Sequence, residues 1–90
     1  MSKSCTIYFM WCVYIILCVD GSLYTGISDN PEKRFILHKK GKGSKYTRSH
    51  KPLKIIYLEK LASKSEALKR EIEIKSWTRD EKISALNLHV

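Results

Sequence analysis

Residues 10–19 form an apolar run rich in Val, Ile, Tyr and Trp, without helical periodicity, which predicts a strand covered on both faces. Residues 23–27 predict its partner. Between them, Val19-Asp20-Gly21-Ser22 is a strong hairpin sequence that admits two loops. If Asp20-Gly21 is the whole loop, Tyr24 pairs with Leu17 and points to the face opposite Tyr14. If Val19-Asp20-Gly21 is the loop, with Gly21 left-handed, Tyr24 pairs with Ile16 and shares a face with Tyr14. The sequence permits both registers.

Asn30 as N-cap, Pro31 at the first helical position and Glu32 in the first turn predict a helix start, and Gly41 closes the helix. Arg34 and His38, four apart, project from one face of it, flanked by Pro31 and Phe35. Residues 41–52 read as a basic loop with a helical turn around residues 44–48, and residues 53–61 as a third strand. Ser63 and Glu66 are spaced as a capping box ahead of a helix reaching roughly Trp77. On its wheel Ala67, Leu68, Ile72 and Ile74 define an apolar arc, and Ser65, Glu66, Lys69, Arg70, Glu73 and Ser76 fill the other side. Glu71 falls inside the apolar arc, with Lys75 one turn further on. A second box, Thr78 to Glu81, opens a short helix carrying Ile83 and Leu86. The order ββαβαα predicts an α+β fold, a three-stranded antiparallel sheet flanked by helices. Residues 10–86 form the domain, 1–9 an N-terminal extension and 87–90 a C-terminal tail.

Ninety residues suffice for one domain, so a single site is expected. The net charge of +8 suits a polyanionic partner or an anionic membrane surface, and its distribution is uneven. Lys39, Lys40, Lys42, Lys45, Arg48, Lys51 and Lys54 lie in one stretch without an acid, leaving only +1 on the rest of the chain. An isolated Lys-rich run is most simply a solvated loop. Here Tyr46, His50 and two glycines interleave with the charge, which favours phosphate contact. Cys5, Cys12 and Cys18 show no zinc-type spacing and read as buried thiols in a reducing cytoplasm. Residues 5–19 are apolar or aromatic except Thr6, but fifteen residues fall short of the ~20 that span a bilayer and no cleavage site follows, so no membrane association is expected.

Each chemically interesting residue has a plain structural reading. A strand Tyr is usually half-buried packing, His38 alone could be a surface helix residue, and Arg34 could pair with Asn30 or Asp29. Glu71 is harder to dismiss, because an acid in an apolar arc is costly unless paired or metal-bound, and Lys75 is the available partner.

Together these residues resemble the GIY-YIG endonuclease superfamily. The first signature reads Val13-Tyr14-Ile15 and the second Tyr24-Thr25-Gly26; the passage from Gly26 into the first helix carries Arg34, and His38 fits a position where members carry His or Tyr. Ala67-Leu68-Lys69-Arg70-Glu71 resembles the helix bearing the family's metal-binding glutamate, which maps to Glu71. The likeness runs from about Cys12 to Leu86 and is closest to small single-domain bacterial members, where Gly41-Lys42-Gly43-Ser44-Lys45-Tyr46-Thr47-Arg48 and Pro52-Leu53 also look typical. Val13 stands where the signature has Gly and Thr25 where it has Ile, and the polar residue that often follows the glutamate helix has no counterpart here.

The resemblance implies a divalent-metal-dependent endonuclease acting on nucleic acid, DNA foremost, in repair or recombination, as a monomer or weak homodimer. Glu71 would hold one Mg²⁺ or Mn²⁺, a hard ion that keeps several waters. Arg34 would grip a non-bridging oxygen and Tyr14 act as base, its phenol pKa lowered from ~10 by the ion and Arg34. Tyr24 and His38 would orient the water or relay its proton. Lys39, Lys40, Lys42, Lys45, Tyr46, Arg48, Lys51 and Lys54 would contact nucleic acid, with Gly21 and Gly26 as turn glycines. The main rival is a non-catalytic nucleic-acid-binding module that keeps the fold and the basic loop.

Overall fold

The computed structural model describes residues 10–90; the extension expected over residues 1–9, with Cys5, lies outside them. Strands β1 (Trp11–Cys18) and β2 (Leu23–Ser28) precede α1 (Pro31–Lys39) and the short α2 (Lys45–Ser49), then come β3 (Pro52–Leu61), α3 (Lys64–Lys75) and α4 (Arg79–Leu86). The antiparallel sheet has the order β2-β1-β3, so the most apolar segment is central. Alternation along β1 then feeds two cores. Val13 and Ile15 pack with Ala67, Ile74 and Leu88 on one face, while Tyr14, Ile16 and Cys18 meet Tyr24, Phe35 and Ile55 on the other.

The hairpin takes the three-residue loop. Gly21 is left-handed (φ 87°), Cys18 N–H donates to the Ser22 carbonyl at 2.9 Å, and Gly21 N–H donates to the Cys18 carbonyl at 2.9 Å. Asp20 braces the turn by accepting from the Ser22 N–H and hydroxyl. The register therefore pairs Ile16 with Tyr24 and Tyr14 with Gly26, placing both tyrosines on one face. Gly26, expected in a turn, lies inside β2 instead, where it faces Tyr14 across the ladder.

Three expectations need correction. On α3 the inner face is Ala67, Arg70, Glu71 and Ile74, whereas Leu68 and Ile72 are 41% and 69% exposed. The reason is Arg70, which reaches Glu59 of β3 at 3.0 Å and lies over the Trp77 ring at 5.5 Å, turning the helix so that the two aliphatics face outward. At the start of α3 only the Ser63 half of the capping box forms, by accepting the Glu66 N–H, while Thr78 and Glu81 complete theirs on α4. At the C-terminus Asn87 is left-handed (φ 54°) and turns the chain back, so Leu88, assigned to a tail, is buried in the core.

Candidate active site

Tyr14 occupies the middle of the central strand and is 1% exposed. Its ring lies across Gly26: a Cβ there would fall 2.6 Å from the Tyr14 hydroxyl and 2.7 Å from Cζ. Glycine is thus needed at position 26 for close approach. Tyr24 sits beside Tyr14 with ring centroids 6.4 Å apart. Facing both tyrosines, α1 presents Arg34 and His38 one turn apart, as its Asn30 cap and Pro31 start dictate.

His38 is fully buried and both its ring nitrogens are engaged. Nε2 is 2.9 Å from the Tyr14 hydroxyl, and Nδ1 is 2.6 Å from Thr47 Oγ1. Arg34 donates to the Gly43 carbonyl at 3.2 Å rather than pairing with Asn30 or Asp29. Asn30 is occupied capping α1 through the Lys33 N–H. Gly43 lies against the His38 imidazole so closely that any side chain there would collide with Nδ1.

Glu71 lies on α3, near enough for its charge to act on Tyr14. Its carboxylate is 16% exposed and is paired with Lys75 at 3.1 Å, so the plain structural reading of that acid is physically realised. Lys75 in turn lies 6.0 Å over the Tyr24 ring, which ties the pair to the tyrosine side of the site. Among the described residues no three His, Cys, Asp or Glu gather as a metal cluster. A single half-buried carboxylate held by one flexible lysine still fits a hard divalent ion that retains most of its water, once Lys75 swings aside.

The electrostatics run against a simple phenolate base. Burial first, then the neighbouring Tyr24 and the charge of Glu71, push Tyr14 up to about 12 even though Arg34 pulls it down. The expected lowering by Arg34 is therefore outweighed. His38 moves the other way: burial, helped by the Arg34 charge, lowers its pKa and keeps the imidazole neutral. The pair thus combines a reluctant acid with an unprotonated acceptor.

The basic residues frame the approach. Lys40, Lys42, Lys45 and Lys54 are exposed, and Lys39, Arg48 and Lys51 line a cavity of about 430 Å³ with Gly41 and Thr47. Tyr46 stacks on Tyr24 at 5.8 Å and on His50 at 4.2 Å, and His50 Nδ1 meets Asp20 at 2.7 Å. Hydrogen bonds from Ser22 and His50 hold the Asp20 carboxyl well below the usual carboxylate range.

Tyr14, Tyr24, Arg34 and His38 are in direct array, and Glu71 joins them by its charge and through Lys75. Sequence reasoning passed over Thr47, although the Ser44-x-x-Thr47 spacing is an N-cap pattern that ties this segment down. It also passed over Lys82, buried on α4 and donating to Thr25 Oγ1 at 3.1 Å, for which the sequence holds no signal.

Known proteins resemble this chain in sequence and in fold. The profile of the GIY-YIG catalytic domain matches residues 10–84. A UPF0213 protein of Staphylococcus saprophyticus is 48% identical over 75 residues, covering 83% of this chain and 92% of that relative. One from Staphylococcus epidermidis is 50% identical over 74 residues, covering 82% and 90%. Two solution NMR structures share the fold. The UPF0213 protein of Bacillus halodurans has 37% identity and a TM-score of 0.56, and a protein of E. faecalis has 39% identity and a TM-score of 0.62; each match covers 87% of this chain and 83% of the other. No helix among the described residues is long and apolar enough to cross a membrane. With the signature tyrosines on one face of the sheet and the profile spanning most of its length, this chain belongs to the GIY-YIG family.

Proposed function

We propose that this chain is an endonuclease that hydrolyses phosphodiester bonds of DNA with one Mg²⁺ or Mn²⁺. The observation that supports this reading best is the Tyr14 hydroxyl, 2.9 Å from His38 Nε2 and under the influence of the Arg34 and Glu71 charges. Glu71 would hold the ion, which when bound supplies positive charge to the phosphoryl oxygens. Arg34, half-buried and already anchored on Gly43, has N–H groups left to grip a non-bridging oxygen, a contact that strengthens as charge builds.

The phenol cannot stand ionised near neutral pH, so Tyr14 works as one link of a relay. As the attacking water gives a proton to the Tyr14 oxygen, the phenol's own proton passes to His38 Nε2, 2.9 Å away. The water oxygen bonds to phosphorus, the bond to the leaving oxygen breaks, and solvent protonates that oxygen. Tyr24, its ring tilted against His38 at 5.0 Å and Tyr14 at 6.4 Å, closes the side of the site and orients the water. The basic residues hold flanking phosphates. Contacts to flanking phosphates carry no sequence information, so the enzyme selects shape over sequence, which suits repair or recombination in the cytoplasm.

The test is a panel of labelled linear, nicked, branched and single-stranded DNA with Mg²⁺ or Mn²⁺. Glu71→Gln should abolish cleavage and leave salt-sensitive binding within about twofold. Cleavage that survives both chelator and this substitution, or wild-type binding without any cleavage, would leave the non-catalytic binder as the correct reading.

A further inference from the structure

The buried chain of polar atoms behind Tyr14 admits only one hydrogen order. Among the described residues the Tyr14 hydroxyl has one side-chain hydrogen-bond partner, His38 Nε2 at 2.9 Å, and the Arg34 charge acts on it from nearby. A guanidinium only donates, so the phenol proton must be given to His38 Nε2. In a neutral imidazole that leaves the hydrogen on Nδ1, facing Thr47 Oγ1 at 2.6 Å. Thr47 can accept it because its own hydrogen has somewhere to go: Ser44 offers a carbonyl at 3.4 Å and a hydroxyl at 2.9 Å. Ser44 is itself fixed, since its Oγ caps α2 by accepting the Thr47 N–H at 3.1 Å.

We infer that Thr47 is a positioning residue which, by accepting the Nδ1 hydrogen, holds the His38 ring with its Nε2 lone pair aimed at the Tyr14 proton. Three features of the fold serve this role. Thr47 is 1% exposed, which restricts the access of water to its hydroxyl. Gly43 packs flat on the imidazole and prevents the ring from turning over. Thr47 also lies between Tyr46 and Arg48, so the segment that faces nucleic acid is the one that orders the histidine.

With Thr47 replaced by valine, of nearly equal volume, the Nδ1 hydrogen is buried without an acceptor. Moving that hydrogen to Nε2 would strand the phenol proton and the bare Nδ1 together, so the ring keeps its tautomer and loses the contact that aims it. Serine in its place keeps the hydroxyl.

The inference rests on the nuclease reading only for its rate arm. The tautomer is read on the free wild-type protein, with ¹⁵N-labelled histidine and long-range correlations between ring nitrogens and carbon-bound protons. The expected spectrum has a pyrrole-type Nδ1 and a pyridine-type Nε2 at His38, with the Nδ1–H signal sharp in wild type and Thr47→Ser and lost to solvent exchange in Thr47→Val. Cleavage should fall about 10- to 100-fold in Thr47→Val with KM unchanged, and return to within about threefold of wild type in Thr47→Ser. Nε2–H as the wild-type tautomer, or a Thr47→Val protein whose Nδ1–H signal is as sharp as the wild type's, overturns the inference whatever the cleavage assay reports. If Thr47→Val does not fold, the wild-type and serine spectra decide alone. A wild-type protein that shows the expected tautomer but cuts nothing retires the nuclease reading and leaves the hydrogen order standing.

Discussion

Replacing Gly26 by alanine sets two physical effects against each other. Its backbone lies outside the left-handed region, so the substitution strains no dihedral angle. In such a position alanine ordinarily stabilises by about 0.4–1 kcal/mol, because the unfolded chain has fewer conformations to lose. Here the new methyl would meet the Tyr14 hydroxyl at 2.6 Å, Tyr14 Cζ at 2.7 Å and Tyr24 Cε2 at 3.1 Å. The Tyr14 ring is enclosed and its hydroxyl is bound to His38, so it has no room to yield. Overpacking of this kind costs roughly 1–3 kcal/mol. A net loss of about 1–2 kcal/mol follows, which for a domain of this size lowers Tm by roughly 5–15 °C. Thermal unfolding followed by the fluorescence of Trp11 and Trp77, both packed against the core, measures it directly. Combining Gly26→Ala with Tyr14→Phe removes the nearest contact, and the pair should couple favourably by about 0.5–1 kcal/mol. An alanine variant as stable as the parent, or more stable, would refute the packing argument and with it the placement of the Tyr14 ring.

Other consequences can be checked separately. Because His38 is the proton acceptor and its pKa is depressed below 6.5, cleavage should rise as acid is removed below that pH and stay level from about pH 7 to 10. A rate that instead climbs tenfold per unit across that range would mean that Tyr14 must ionise first, toward its own value near 12. Lys75→Met removes the half-exposed partner of Glu71; since such a pair contributes at most ~1 kcal/mol, Mn²⁺ should bind up to about fivefold tighter by calorimetry, and unchanged or weaker binding counts against Glu71 as the ligand. Lys82 is buried, and burial with the nearby Lys75 charge lowers its pKa, so its charged form destabilises the fold at neutral pH and the penalty fades as pH rises toward 10.5. Lys82→Met should therefore raise the urea midpoint at pH 7 and lose that advantage near pH 10; a lower midpoint at pH 7 would show that the Thr25 contact matters more.

Much of the fold was legible because its determinants are local. The apolar run of β1, the Asn30-Pro31 start of α1 and the Thr78 to Glu81 box are short-range patterns, and each specifies its element without help from elsewhere. The four-residue spacing of Arg34 and His38 likewise guarantees a shared helix face. The inward face of α3 was misread, since an apolar wheel assigns arginine to solvent. Arg70 goes inside because Glu59 of a different element accepts it, and no periodicity within α3 carries that information.

The amino-acid sequence by itself thus determined the elements, their order, the basic segment and the residue types of the site. Tertiary structure decided which of two hairpin registers was adopted, and so whether Tyr14 and Tyr24 share a face at all. It also decided the hydrogen order around His38, whose two ring nitrogens meet Tyr14 and Thr47, residues distant in the chain. The physical reason is the range of the interactions. Propensity and capping act within a turn of chain, whereas burial and the pairing of buried donors with acceptors exist only once distant segments have closed around them.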